Sequence, residues 1–224
     1  MHLETLKRTA KKAKKGRNEF REVAMKRRLA GLLFILGLMF PLGVYSAVPL
    51  ETVKAHVNRV FEVLRDPALK GESANKAKRG KIRSISEEMF DYTELSKRSL
   101  GQNWNKLNPD QQKEFIKLFK SLLEDTYADK ITSYTDERVI FKKEISLSEK
   151  TVEVQTAIVT KASEVPIDYR VIEKNGEWKV YDVVIEGVSL ISNYRSQFRE
   201  ILANKAPEAL IETLRKKVGK GSTS

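Results

Sequence analysis

The sequence predicts an α+β fold in which a four-stranded, antiparallel, curved sheet is covered by helices on one face. Four consecutive segments between residues 139 and 184 alternate apolar and polar side chains, as half-buried strands do. Asn175-Gly176 separates the last two segments, and this dipeptide favours a two-residue type I′ hairpin turn. Segments with helical spacing of apolar residues precede and follow the strands. Strands in one run between helices indicate a layered α+β domain.

The helices before the sheet have clear start and stop signals. Pro49 suits a first helical position, and Asp66-Pro67 ends the helix that it begins. Asn108-Pro109-Asp110-Gln111 combines an N-cap residue, a proline at the first position and a glutamine where a capping box requires one. The apolar residues after it keep helical spacing for about five turns, so this long helix needs a large apolar partner surface.

The sheet and the C-terminal helices are joined at Gly187. The segment from Tyr181 alternates like a strand, whereas the apolar residues from Val188 to Leu202 recur at helical spacing. We interpret Gly187 as a fixed bend that folds the following helix against the sheet. A final helix begins near Pro207, and residues 219–224 are predicted to form a disordered tail.

Charge and composition exclude several functions. The formal net charge is +12, but residues 1–47 hold 11 Lys/Arg against 3 Asp/Glu, which leaves 31 against 27 for the rest of the chain. Such a weak excess after residue 47 argues against nucleic-acid binding. The chain has no cysteine, and His2 and His56 are its only histidines. Disulfides and thiolate chemistry are therefore excluded, and His-based triads and metal sites nearly so.

The N-terminal 47 residues are predicted to be a basic extension and a cleaved signal peptide. Met25-Lys26-Arg27-Arg28 precedes the uncharged run Leu29–Leu42, and small residues follow it. This run is shorter than the roughly 20 residues that a membrane span needs. Cleavage near Ala47 or Val48 would release the remaining chain into a periplasmic compartment. An uncleaved signal anchor with a basic cytoplasmic arm is the alternative.

No catalytic motif is present. The sequence has no phosphate loop, no dinucleotide fingerprint, no GxSxG and no HExxH. Asp182 alternates with Val180 and Val184, so it is a candidate buried acid; ion pairing with Arg170 or Arg195 is the more ordinary role. What remains is a curved sheet under apolar helices, which either closes as a filled core or opens as a pocket suited to acyl chains. Periodicity alone leaves both possibilities open.

Several motifs, in order along the chain, resemble the MlaC family, also called toluene-tolerance auxiliary proteins of the Ttg2D type. The resemblance covers about residues 48–217 and is carried by Phe90-Asp91-Tyr92, Leu95-Ser96-Lys97-Arg98, Leu107-Asn108-Pro109-Asp110-Gln111-Gln112, Pro166-Ile167-Asp168-Tyr169-Arg170, Trp178-Lys179-Val180-Tyr181-Asp182-Val183, Glu186-Gly187-Val188-Ser189-Leu190 and Asn193-Tyr194-Arg195.

The resemblance implies a periplasmic phospholipid carrier with a fold similar to the nuclear-transport-factor-2-like cone, for residues 48–218. Its implied partners are phospholipid, an outer-membrane lipoprotein complex of the MlaA type and an inner-membrane MCE-domain ABC transporter of the MlaFEDB type. The phospholipid would be cargo, and no cofactor, metal or nucleic acid is implied. Shuttling lipid between the two complexes would maintain outer-membrane lipid asymmetry.

Candidate lipid contacts lie on the long helix, the strands and the helix after Gly187. They are Phe115, Leu118, Phe119, Leu122, Val152, Val154, Ile167, Tyr169, Val180, Val184 and Ile191. Aspartate at Val154 or Val180 is expected to abolish lipid retention. Candidate headgroup or docking contacts are Lys97, Arg98, Lys78 and Arg79.

Two other functions stay open beside the lipid carrier. One is an enzyme of the isomerase or dehydratase type, which cone folds also host, with Asp182 or Tyr169 as its acid or base. The other is a periplasmic interaction module with a filled core.

Overall fold

The computed structural model describes residues 48–133, 137–161 and 163–221. Along these residues six helices and five strands follow one another: α1 (Pro49–Arg65), α2 (Asn75–Met89), α3 (Tyr92–Leu100), α4 (Pro109–Thr132), β1 (Arg138–Ser148), β2 (Thr151–Val159), β3 (Glu164–Lys174), β4 (Glu177–Ile185), β5 (Val188–Ser189), α5 (Leu190–Leu202) and α6 (Pro207–Gly221). Short 3-10 turns occupy Pro67–Leu69, Glu72–Ala74 and Gly101–Lys106. The predicted signal peptide lies outside the described residues.

The sheet is an antiparallel meander in the order β1-β2-β3-β4-β5. The predicted α+β class is confirmed, with a fifth strand of two residues that the sequence did not suggest. Glu186 (φ 49°) and Gly187 (φ 81°) form the tight turn between β4 and β5. Gly187 therefore does reverse the chain, but helix α5 begins at Leu190, after the short strand.

Local signals explain the helix and hairpin ends. The Asn108 side chain accepts a hydrogen bond from the Gln111 backbone, and the Gln111 side chain accepts one from the Asn108 backbone, so the predicted capping box is confirmed. Asn175 and Gly176 both have positive φ, as a type I′ turn requires. These ends fix where α4 and the β3–β4 hairpin begin and turn.

Two apolar clusters divide the domain. We call the first the helix cluster; its buried members are Leu95, Leu100, Trp104, Leu107, Phe115, Phe119, Leu123, Tyr181, Ile191, Tyr194, Phe198, Leu210, Ile211 and Leu214. We call the second the sheet cluster; its buried members are Val53, Val57, Met89, Val154, Val171, Val180 and Val183. Phe90, between α2 and α3, packs against both.

The two clusters lie on opposite faces of the sheet. We call the face that carries Val154, Val171 and Val180 the inner face, since cross-strand neighbours share a side. Ile172 follows Val171 and so points to the outer face, where it packs against the helix cluster. The Asp91 backbone donates to the Val180 carbonyl at 2.9 Å, where the chain crosses the edge of β4. Helices therefore contact both faces, and not one face as the sequence implied.

Candidate functional site

The inner face of the sheet is built from rows of apolar side chains on neighbouring strands. Their pairing makes the rows continuous across β2, β3 and β4: Val152–Val171–Val180, Val154–Tyr169–Val183 and Thr156–Ile167–Ile185. Thr156 and Tyr169 contribute the hydroxyls of these rows, and the Thr156 hydroxyl donates to the carbonyl of Ile167. The face therefore presents an almost wholly apolar surface.

Helix α1 covers part of this face. Its apolar stripe places Val53 and Val57 among the buried residues of the sheet cluster. Polar contacts hold its two ends: the Leu50 backbone donates to the Glu144 carboxylate, and the Arg65 guanidinium donates to the Glu137 carbonyl at 2.6 Å. In between, Arg59 forms an ion pair with Glu88 of α2. This ion pair lies at the surface, where such a pair contributes only about 0 to 1 kcal/mol of stability.

The rest of the inner face is only partly covered. Around the buried members of the sheet cluster lies a broad set of partly buried apolar side chains: Leu50, Phe61, Phe90, Val139, Phe141, Val152, Ile167, Tyr169, Trp178, Ile185 and Leu190. Apolar surface in contact with water costs about 25 cal/mol per Å². A ligand that covered these side chains with hydrocarbon would recover that free energy, so the arrangement suits an apolar ligand.

The helix cluster is packed differently. Phe115 and Phe119 of α4 expose 0% and 1% of their surface. Their rings meet Tyr194 and Phe198 of α5, with Phe119 4.9 Å from Tyr194 and 5.1 Å from Phe198 between ring centroids. Such tilted and edge-to-face contacts fill the space between α4 and α5 with protein.

The structure divides the predicted lipid contacts between these clusters. Phe115, Phe119 and Ile191 are buried in the helix cluster, and Leu118 and Leu122 pack against it. Val154 and Val180 are buried in the sheet cluster, and Val152, Ile167 and Tyr169 pack against it. The predicted set is therefore not one continuous lining. Contact of any of these residues with lipid stays a prediction.

Val184 lies on the outer face, apart from the other strand residues of that set. Val180 pairs with Val171, but Asp182 pairs with Arg170, so Tyr181 is an extra residue in β4. A β-bulge of this kind shifts the alternation of all later side chains by one position. Val184 consequently pairs with Asp168, while Val183 takes its place on the inner face.

Asp182 is a structural residue at the start of α5. It is 2% exposed, and the Arg170 guanidinium lies 3.3 Å from its Oδ2, as predicted for an ion pair. Ser189 Oγ donates to the same oxygen at 2.6 Å, and the Ile191 backbone donates to Oδ1 at 3.1 Å. Arg195, the other suggested partner, instead donates to the Arg98 carbonyl at 2.9 and 2.7 Å.

The predicted basic contacts are of two kinds. Arg98 donates to Glu94 at 2.7 Å and lies 4.2 Å above the Tyr181 ring, and Arg79 pairs with Asp129. These two cations are held by the domain itself. Lys97 is exposed on α3 and Lys78 is partly exposed on α2. Their role as headgroup or docking contacts stays a prediction.

A cleft of about 380 Å³ with several charged side chains in its lining lies at the β3–β4 turn. It is lined by Phe90, Asp91, Tyr92, Thr93, Lys174, Asn175, Glu177 and Lys179. Lys174 Nζ donates to Asp91 at 2.6 Å and to Glu94 at 3.0 Å. Burial lowers the pKa of Lys174, but these hydrogen bonds outweigh burial and hold the pKa above its ordinary value. The cleft thus has its charges paired and does not suit hydrocarbon.

The predicted lipid contacts leave out several apolar residues of the sheet cluster, among them Phe61, Phe141 and Trp178. A signal for Phe61 was present, because it continues the apolar stripe of Val53 and Val57. Phe141 stands in the first predicted strand. Strand periodicity shows which residues share a face but not which of them the helices leave partly uncovered.

Fold and site together define an α+β protein with a partly open apolar sheet face, a form suited to holding hydrocarbon. The particular family follows from comparison: a family model described as MlaC protein matches residues 54–216, and the chain belongs to this family. The resemblance noted from the sequence motifs is thereby confirmed.

Two relatives extend this finding. The intermembrane phospholipid transport system binding protein MlaC of Haemophilus influenzae is 27% identical over 135 residues, which cover 57% of this chain and 63% of that protein. The match thus spans less than two thirds of the relative's length. A solved structure of a phospholipid-binding protein from Ralstonia solanacearum, in complex with a phospholipid, has a TM-score of 0.70 and 25% identity. It covers 79% of this chain and 99% of its own.

None of the helices in the described part of the chain is long and apolar enough to cross a bilayer.

Proposed function

We propose that this protein is a periplasmic phospholipid carrier and that acyl chains lie against the inner face of the sheet. The observation that carries the proposal is the broad set of partly buried apolar side chains around Val154 and Val180. Membership in the MlaC family and the phospholipid named for the Ralstonia solanacearum structure support it.

The energetics require a deep apolar surface. Burial of each methylene contributes roughly 0.8 kcal/mol, so two acyl chains contribute on the order of 20 kcal/mol. A carrier that crosses an aqueous space must cover most of that hydrocarbon. The inner face, together with α1 and the α2–α3 junction at Phe90, offers apolar contacts from more than one direction.

The same proposal includes the route of the lipid. Delivery between an outer-membrane complex of the MlaA type and an inner-membrane complex of the MlaFEDB type follows from the family resemblance. The relative in Haemophilus influenzae is named for intermembrane phospholipid transport, which supports this route. The predicted signal peptide in residues 1–47 agrees with a periplasmic location.

We assign no catalytic step to the protein. Asp182, the acid considered as a catalytic candidate, has both oxygens engaged by Arg170, Ser189 and the Ile191 backbone. It also faces away from the inner face. These contacts argue against Asp182 as the acid or base of an isomerase or dehydratase.

Two isoleucines on opposite faces of the sheet give a matched test. Ile167 lies on the inner face and is partly buried, whereas Ile140 lies on the outer face and is 37% exposed. Lipid should be extracted from purified protein and quantified by mass spectrometry. We expect bound phospholipid in the wild type and in Ile140→Asp, and its loss in Ile167→Asp, because a carboxylate is costly to bury beside hydrocarbon.

Thermal unfolding of both variants checks that each remains folded. Folded Ile167→Asp protein that retains lipid would place the acyl chains elsewhere. Wild-type protein that holds no phospholipid, and takes none up from vesicles, would contradict the carrier function itself.

A further inference from the structure

Trp178 carries an unsatisfied hydrogen-bond donor. Its indole Nε1 is buried and has no acceptor among the described residues. An indole N–H can only donate, so it cannot be satisfied by a donor nearby. Buried polar groups in native proteins nearly always have a partner, and an exception calls for an explanation.

The position of Trp178 links this donor to the inner face. Trp178 lies on β4 two residues before Val180, on the same side of the strand, and its ring packs against the sheet cluster. The cross-strand partner of Trp178 on this face is Glu173, and its carboxylate accepts from the Gly176 backbone at 2.7 Å and not from the indole. By contrast, the Thr156 hydroxyl on the same face has an acceptor, the Ile167 carbonyl.

We propose that Trp178 donates this hydrogen bond to an ester carbonyl of the bound phospholipid, where an acyl chain joins the glycerol. This inference rests on the proposed function. A diacyl lipid brings its ester carbonyls into the apolar site along with the chains, and each is a neutral acceptor. A phosphate would bring a full charge next to Val171 and Val180, where burial of an unpaired charge is costly. Trp178 therefore distinguishes ester-linked from ether-linked lipids.

Lipids that differ only in this linkage test the assignment. Delipidated protein is titrated with phosphatidylethanolamine carrying two palmitoyl esters and with the analogue carrying two hexadecyl ethers. The comparison uses wild-type protein and Trp178→Phe, which keeps an aromatic ring but lacks the N–H. We expect wild type to bind the ester lipid about fivefold more tightly than the ether lipid, as one hydrogen bond allows. Trp178→Phe should bind both lipids with the same affinity, close to that of wild type for the ether.

Trp104 supplies the matched control. It is the other tryptophan of the chain and lies in the helix cluster, so Trp104→Phe should keep the ester preference. Two tryptophans also give two indole N–H signals in a ¹⁵N NMR spectrum. The signal that is missing in Trp178→Phe should move downfield in wild type on addition of the ester lipid and much less with the ether.

The other outcomes contradict the assignment in distinct ways. An equal loss of affinity for both lipids in Trp178→Phe would mean that the ring contributes by packing or that the N–H binds the phosphate. Unchanged affinities would mean that the N–H binds nothing on the lipid. Wild-type protein that binds neither lipid would instead overturn the proposed function.

Discussion

Phe119 in the helix cluster is 1% exposed and surrounded by aromatic rings, whereas Phe141 in the sheet cluster is only partly buried. The same contrast holds for the clusters as wholes. In the helix cluster, α3, α4, α5 and α6 fill the space between them with their own side chains. In the sheet cluster, the partly buried apolar residues outnumber the buried ones. One half of the domain thus resembles a finished core, and the other half resembles a core that needs a ligand.

Under the proposed function, each half of the domain has its own role. We expect the helix cluster to supply stability that does not depend on lipid; it packs against the outer side of the β3–β4 hairpin through Ile172 and Tyr181. The inner face can then remain partly open without unfolding the sheet. We expect mutations in the two clusters to separate stability from lipid binding.

The largest effect is expected from truncation of the two phenylalanines. Phe119→Ala should lower the free energy of unfolding by about 3 to 5 kcal/mol, as aromatic-to-alanine changes in filled cores do. Phe141→Ala should cost only about 1 to 2 kcal/mol because its ring is partly exposed. Urea unfolding of delipidated protein measures both values.

Lipid affinity should respond in the opposite order. Phe141→Ala should weaken phospholipid binding by about tenfold, equivalent to about 1.4 kcal/mol, whereas folded Phe119→Ala should bind like wild type. A large loss of affinity in folded Phe119→Ala would break the contrast. It would also support the sequence-based assignment of Phe119 to the lipid site.

A smaller effect is expected where the two halves are joined. Asp182 connects α5 to β3 and β4 through Arg170, Ser189 and the Ile191 backbone. Removal of one partner of a buried ion pair costs about 3 to 5 kcal/mol of stability. Because the Arg170 side chain is 33% exposed, we expect Asp182→Ala to lose an amount near or below the lower end of this range. Calorimetry of delipidated protein gives the shift in Tm.

Asp182→Asn serves as the control, because an amide oxygen can still accept from the Ile191 backbone. It should be less destabilised than Asp182→Ala. Lipid affinity should change little in either folded variant, since Asp182 lies on the outer face. If Asp182→Asn removed lipid binding while it stayed folded, the outer face would belong to the site, and the division into two halves would be wrong.

The predictable parts of this fold are those that short stretches of chain determine. The capping box at Asn108 and the turn at Asn175-Gly176 depend on a few neighbouring residues, and both are confirmed. The bulge at Tyr181 depends on how β4 pairs with β3, which no local pattern encodes. It moved Val184 to the outer face.

The split between the clusters was beyond sequence reasoning for a similar reason. Helical periodicity showed correctly that Phe115 and Phe119 are buried. It could not show what they are buried against, because the α4 face meets α5 and α6 in space and not in sequence. The inner-face set from Val152 to Val180, in contrast, shares one side of neighbouring strands, which alternation does predict.

The smallest effect is expected at the contact between α4 and α2, where Glu124 of α4 lies 2.9 Å from Arg83 of α2. Burial raises the pKa of Glu124, and Arg83 and Lys120 offset this only in part. The folded state therefore holds the proton more tightly than the unfolded chain. Glu124 therefore contributes to the free energy of unfolding below its ordinary pKa of 4.5, and this contribution is lost as pH rises through the pKa that Glu124 has in the folded protein. Glu124→Gln should thus gain stability relative to wild type as pH rises above 4.5.

Glu94, where α3 meets the β3–β4 hairpin, has a pKa shifted in the opposite direction from that of Glu124. Burial raises the pKa of Glu94, but hydrogen bonds from Lys174 and Arg98 outweigh burial and lower the pKa below 4.5. The stability that Glu94 contributes is present above pH 4.5 and is lost as pH falls through the pKa that Glu94 has in the folded protein. Glu94→Gln should therefore be less stable than wild type at pH 7, with a difference that disappears in acid. Urea unfolding from acid to pH 7 gives the difference in unfolding free energy between each variant and wild type as a function of pH. The two differences should change with pH in opposite directions; a change in the same direction would contradict the opposite pKa shifts of Glu124 and Glu94.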